Sequence, residues 1–147
     1  SNIKLQTINM KLLKIIFFLI LISNNLFANT DYFSEGLIFY QKNDLDKAKF
    51  KFEQDLVFNP KNEKSYLYLS KIFNIQKKKD LEEKNLKTVI LLDPKNEDAV
   101  FSLAKLRLDE SDYKESKKLI ERLLSFCKTH CQKSKKLKTQ IENSLKK

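Results

Sequence analysis

Two stretches decide the reading of this chain: Phe58-Asn59-Pro60-Lys61-Asn62-Glu63 and Leu92-Asp93-Pro94-Lys95-Asn96-Glu97. The second restates the first 34 residues later, and Pro60 and Pro94 are the only prolines among 147 residues. A fixed period of that size marks units that cannot bury an apolar face alone and must stack on neighbours. Each proline also ends the element before it, because the residue preceding a proline is pushed out of the helical region.

Working outward from these phrases, the apolar residues fall on helical stripes. Tyr32, Phe39 and Leu45 are followed by Ala48, Phe52 and Leu56, at spacings near seven and four. Lys42-Asn43-Asp44 is read as the turn between them, with Asp44 or Asp46 capping the second helix. The next unit has Tyr66, Leu69, Ile72 and Phe73, a turn at Lys77-Lys78-Lys79, Asp80 as a cap, and then Leu86, Val89 and Ile90. A third has Val100, Leu103 and Ala104, a turn at Glu110-Ser111-Asp112, and then Tyr113, Ser116, Ile120, Leu123 and Cys127. Three helical hairpins result, each too thin to enclose its own core. One glycine and two prolines leave little material for a sheet-rich fold.

The formal charge of +10 lies at the ends of the chain. Residues 29–127 hold 19 basic and 18 acidic residues, whereas residues 128–147 hold seven lysines against Glu142 alone. The body is therefore nearly neutral, and the basic pI does not mark a nucleic-acid-binding face. Residues 128–147 also lack the interleaved aromatics that stack on bases. At the other end, Met10-Lys11-Leu12-Leu13-Lys14 leads into an unbroken apolar run, Ile15 to Ile22, then polar Ser23-Asn24-Asn25 and Leu26-Phe27-Ala28. That order matches a secretory signal peptide, residues 10–28, cleaved after Ala28. The run is much shorter than the roughly 20 residues of a spanning helix, although an uncleaved anchor is the rival reading. Residues 1–9 are read as an upstream extension or scar. The membrane is then met only before cleavage, and a bacterial periplasm is the expected destination.

Residues 29–128 resemble the tetratricopeptide repeat. The first unit carries Tyr32, Gly36, Phe39, Ala48, Phe52 and Pro60 at the matching places. The second carries Tyr66, Leu69, Ser70, Phe73, Leu86 and Pro94, with Glu82 where a small alanine belongs. The third keeps Leu103, Ala104 and Ser116, with Arg107 for the tyrosine and Lys128 for the proline. The resemblance implies an all-α fold: tetratricopeptide-like hairpins stacked as a short right-handed superhelix, an α-solenoid. Its repeats would be 29–62, 63–96 and 97–130. Gly36 and Ala48 would sit where paired helices approach most closely. Residues 131–147 would form a capping helix and basic tail, seamed by Leu137, Ile141 and Leu145.

The family's usual task is to bind a segment of another protein, and its first helices line a concave face. The resemblance places Phe33, Leu37, Tyr40, Leu67, Lys71, Asn74, Phe101, Lys105 and Leu108 there, a set of aromatics beside lysines suited to a segment with some acidic character. Leu37, Leu67 and Phe101 are equally well read as packing residues. Family members that grip a C-terminal carboxylate use lysines and asparagines where this chain has Phe33, Leu37, Tyr68, Asp98 and Ser102. That clamp is not expected.

Cys127-Lys128-Thr129-His130-Cys131 is the one chemically distinctive stretch. In an exported protein, two cysteines and no others favour a disulfide. Other readings are a metal site completed by His130, which lacks an obvious fourth ligand, a redox pair, or two reduced thiols. Cys-x-x-His-Cys is not the haem-attachment order. No nucleophile elbow or phosphate-binding glycine loop is present, and there is one histidine, so an enzyme is not expected and no cofactor is implied. The expected role is a non-catalytic scaffold of the cell envelope whose partner is another protein, with self-association through an exposed end also open. The alternative is attachment to anionic lipid or cell wall through the lysine tail.

Overall fold

The computed structural model describes residues 12–14, 16 and 31–146. The signal-peptide reading of residues 10–28 lies outside the described residues, apart from helical positions 12–14 and 16. Tyr32–Lys147 form one compact unit. Among the described residues no helix is long and apolar enough to cross a membrane.

This unit is entirely helical: α1 (Tyr32–Gln41), α2 (Leu45–Phe58), α3 (Glu63–Ile75), α4 (Lys79–Leu92), α5 (Glu97–Asp109), α6 (Tyr113–Phe126) and α7 (Cys131–Leu145). Consecutive pairs α1/α2, α3/α4 and α5/α6 form hairpins, each leaning on the next, and α7 packs on α6 and touches α5. The 34-residue period is visible in the backbone. Asn43, Lys77 and Ser111, one period apart, all take a left-handed conformation with φ of 57°, 56° and 63°. At each turn the following amide donates back five residues: Asp44 to Phe39 at 2.9 Å, Lys78 to Phe73 at 2.9 Å and Asp112 to Arg107 at 2.9 Å. This Schellman closure satisfies the last carbonyls of the first helix.

Side-chain caps start most of the helices. Asp44 accepts from the Lys47 amide, Asn62 from Lys64, Asn96 from Ala99 and Asp112 from Glu115. The expectation for Asp80 is corrected. Helix α4 begins at Lys79, so Lys78 holds the cap position without a side-chain acceptor and Asp80 lies inside the first turn. There a carboxylate complements the helix dipole instead.

Small residues let the hairpins close. Gly36 is buried, and a Cβ built there would lie 2.6 Å from the ring of Phe52, so the approach it permits is to that ring. Ala48 and Ser116 are fully buried, and Ser116 donates to the Ala104 carbonyl at 2.7 Å. Two apolar clusters result. One joins the first hairpin to α3 through Ala48, Phe52, Leu69, Ile72 and Phe73. The other runs from α3 to α7 and ends on Leu137 and Ile141. Leu145, expected in that seam, is 51% exposed. The antiparallel pairs Glu121–Lys138 (3.4 Å) and Lys117–Glu142 (4.0 Å) set Leu145 opposite the first turn of α6, at the edge of the array. Buried Ser134 takes the seam position at the other end of α7.

Candidate functional site

Polar and aromatic side chains converge in a groove of about 340 Å³ across the first helices of the hairpins. Tyr40 comes from α1; Ser70, Lys71, Asn74 and Ile75 from α3; Phe101, Ser102, Lys105, Leu106 and Asp109 from α5. Glu82 at the start of α4 and Lys133 on α7 complete it. Behind the lining, the Tyr40 ring meets Tyr68 edge-on at 5.1 Å, and Lys71 Nζ lies 4.9 Å from the centre of the Tyr68 ring. Lys133 Nζ sits 4.3 Å over Phe101.

Of the nine residues placed on the concave face from sequence, Tyr40, Lys71, Asn74, Phe101 and Lys105 come together here. Phe33 and Leu37 are half-buried in the first apolar cluster, where Phe33 lies against the rings of Phe52 (5.7 Å) and Tyr68 (5.9 Å). Leu67 is corrected to a core residue. It is 9% exposed and packs within the larger cluster, because its position on α3 turns toward α4 and α5. Leu108 packs against the same cluster, outside the groove lining. Glu82, Asp109 and Lys133 were missed. Glu82 had a signal, as an acid in a place reserved for a small residue; Lys133 was assigned to the tail, since only the packing of α7 brings it in.

Charges in the groove are unevenly partnered. At the end nearer α7, Asp98 accepts from His130 Nε2 at 2.5 Å and pairs with Lys71 Nζ at 3.5 Å, with Lys133 Nζ at 4.0 Å. Burial works against ionisation of Asp98, but the His130 hydrogen bond and Lys71 keep its carboxyl below the usual range. Burial lowers the Lys133 ammonium, and Lys71 adds to that against Asp98. At the other end Glu82 is 5% exposed and accepts from Asn74 Nδ2 at 3.0 Å. Burial pushes the Glu82 carboxyl up against that hydrogen bond, and Asp109 and Glu110 push the same way. Arg107, standing in the tyrosine place, is ion-paired to Glu83 and, at 2.6 Å, to Glu110.

Cys127 and Cys131 form a disulfide, so the pair is not left as reduced thiols. The loop it closes is a cradle for Glu97. That carboxylate accepts from the backbone amides of Lys128 (2.7 Å), Thr129 (3.0 Å) and His130 (2.7 Å), and from the Thr129 hydroxyl (2.9 Å). These donors stand at the start of α7, where helix amides otherwise lack partners. Burial alone would raise the Glu97 carboxyl; the amides of Lys128 and His130, with Thr129, hold it at about 2 instead of 4.5. The metal reading of this loop is corrected. Both sulfurs are bonded to each other and His130 turns to Asp98 and Phe101, with ring centres 6.2 Å apart. Among the described residues no group of three or more His, Cys, Asp or Glu side chains could hold a metal ion.

No known family profile matches the sequence, and no curated protein matches it. Solved structures do match. The first tetratricopeptide repeat domain of Spaghetti (RPAP3), bound to the HSP90 peptide SRMEEVD, is 16% identical, with a TM-score of 0.71 over 79% of this chain and 94% of that one. The OM64 tetratricopeptide repeat domain from Arabidopsis is 18% identical, with a TM-score of 0.69 over 76% and 92%. The Yersinia enterocolitica type III secretion translocator chaperone SycD is 16% identical, with a TM-score of 0.65 over 77% and 88%. At these identities the likeness establishes the fold, which is that of tetratricopeptide repeats.

Proposed function

We propose that this chain is a non-catalytic interaction module that holds a segment of another protein in the groove crossed by α1, α3 and α5. The observation that carries the reading is the meeting of Tyr40, Lys71, Asn74, Phe101 and Lys105 in one cleft, with Lys133 added by the capping helix. Aromatic faces beside flexible ammonium groups suit an extended or amphipathic segment. The same fold holds a peptide in the RPAP3 structure. The clamp places are filled differently here, by Phe33, Leu37, Tyr68, Asp98 and Ser102, so the segment is of another kind.

We place this activity in the cell envelope, most simply a bacterial periplasm. The leader-like residues 10–28 and the Cys127–Cys131 disulfide both favour an oxidising compartment outside the cytosol. The partner is then an envelope protein. Replacing Tyr40 and Lys105 together by alanine should abolish capture of a defined envelope protein while leaving the helices in place; Lys105 is exposed, whereas loss of the Tyr40 ring from beside Tyr68 should lower the melting temperature. Capture that survives this change but is lost with Lys135→Glu and Lys136→Glu would move the activity to the lysine-rich end of α7.

A further inference from the structure

The groove has two electrically different ends. Toward the start of α5, the ammonium groups of Lys71 and Lys133 line the groove and meet at Asp98, which His130 also engages, and Lys133 feels Glu97 as well. Toward the end of α5 the surplus is negative. Glu110 is neutralised by Arg107, but Glu82 and Asp109 are not matched in this way. Glu82 accepts from the neutral amide of Asn74 and makes no ion pair among the described residues, and Lys79 acts on it only through its field. Among the described residues Asp109 makes no ion pair.

A buried acid is costly unless a cation answers it. The Glu82 position carries Ala48 in the first repeat and Ser116 in the third, both fully buried, so nothing in the helix crossing calls for a carboxylate. Its head reaches into the groove lining instead. We infer, on the reading that the groove holds a peptide segment, that this segment carries a lysine or arginine at the Glu82–Asp109 end and a carboxylate at the Lys71–Lys133 end. From Asp98 to Asp109 the helix rises about 16 Å at about 1.5 Å per residue. An extended segment covers that in about five residues at about 3.3 Å each. Phe101, beneath Lys133, and Ile75 add apolar surface to the lining.

The test is selection of a displayed library of random twelve-residue peptides on the full chain, run in parallel on Asp109→Lys and on the Tyr40→Ala/Lys105→Ala double variant. Asp109 is exposed, so its replacement leaves the core untouched. Peptides selected on the unchanged protein should carry a basic and an acidic residue four to six positions apart, in at least threefold excess over the unselected library. The Asp109→Lys selection should lose the basic residue and keep the acidic one. Peptides that need Tyr40 and Lys105 but show only acidic residues, or no paired charges, would overturn this inference and leave the groove standing. No enrichment, or enrichment indifferent to Tyr40 and Lys105, would overturn the groove reading as well.

Discussion

Gly36 is set by the ring it faces. Thirty-four residues on, Ser70 and Leu86 hold the places of Gly36 and Phe52, and then Ala104 and Ile120 do. Each pair divides one volume differently, and the largest partner leaves room only for hydrogen. A Cβ at position 36 would meet Phe52 atoms at 2.6, 2.8 and 3.0 Å, and the ring is fully buried. Gly36→Ala should therefore cost about 1–3 kcal/mol by overpacking, outweighing the gain of about 1 kcal/mol in helix propensity. A urea midpoint equal to or above that of the unchanged protein would contradict this. Asp55 makes a second point at the same scale. It is 3% exposed and accepts from Asn59 Nδ2 (2.9 Å), Asn62 Nδ2 (2.6 Å) and Ser65 Oγ (2.5 Å), fastening the proline turn to the next hairpin. The second repeat does without this, with buried Val89 and Ala99 one period later. Asp55→Ala should destabilise by about 2–3 kcal/mol, because it strands the buried Ser65 hydroxyl and removes two partly buried bonds from Asn59 and Asn62. Asp55→Val with Ser65→Ala should recover part of that loss; equal loss in both would show that the hydrogen bonds are not the cause.

Among the elements, α7 depends most on contacts from outside its own sequence. His130 at its cap position makes no side-chain cap bond, and the Glu97 carboxylate of α5 supplies the missing acceptor from across the turn. The linkage sign follows from a folded value of about 2 against an ordinary 4.5. The depressed carboxyl contributes stability that is complete above 4.5 and lost as pH falls toward about 2. Thermal melting should show Glu97→Gln well below the unchanged protein at pH 7, with the gap closing as pH falls through that window. A gap independent of pH would remove the charge from the account. The hairpins were legible in the sequence because period, proline and small-residue places repeat, and local rules suffice for helices, turns and most caps. The Glu97 cradle was not legible, because it joins residues more than thirty apart through backbone amides that carry no residue signature. Leu67 was misplaced for a related reason: a residue one step round a helix faces core or groove according to the crossing angle, which periodicity does not give.

At the scale of the whole array, the groove is assembled from four helices of the hairpins and closed by a fifth, α7. Its charge pattern is a property of the stack, since Lys71 answers Asp98 of the next repeat and Lys133 of the cap leans over Phe101. The sequence marked five of the groove residues through the repeat frame, and placed Lys133 in a solvated tail. The disulfide ties the last hairpin to the cap, so the element that supplies Lys133 is fixed at its start. The central claim is that a partner lies in this groove. A photo-crosslinking amino acid at Lys105, exposed within it, and another at Leu91, 80% exposed and outside its lining, test this most directly in the cells that make the protein. One discrete polypeptide should couple to position 105 and none to position 91. Equal capture at both positions, or capture at 91 alone, would contradict the groove as the working surface.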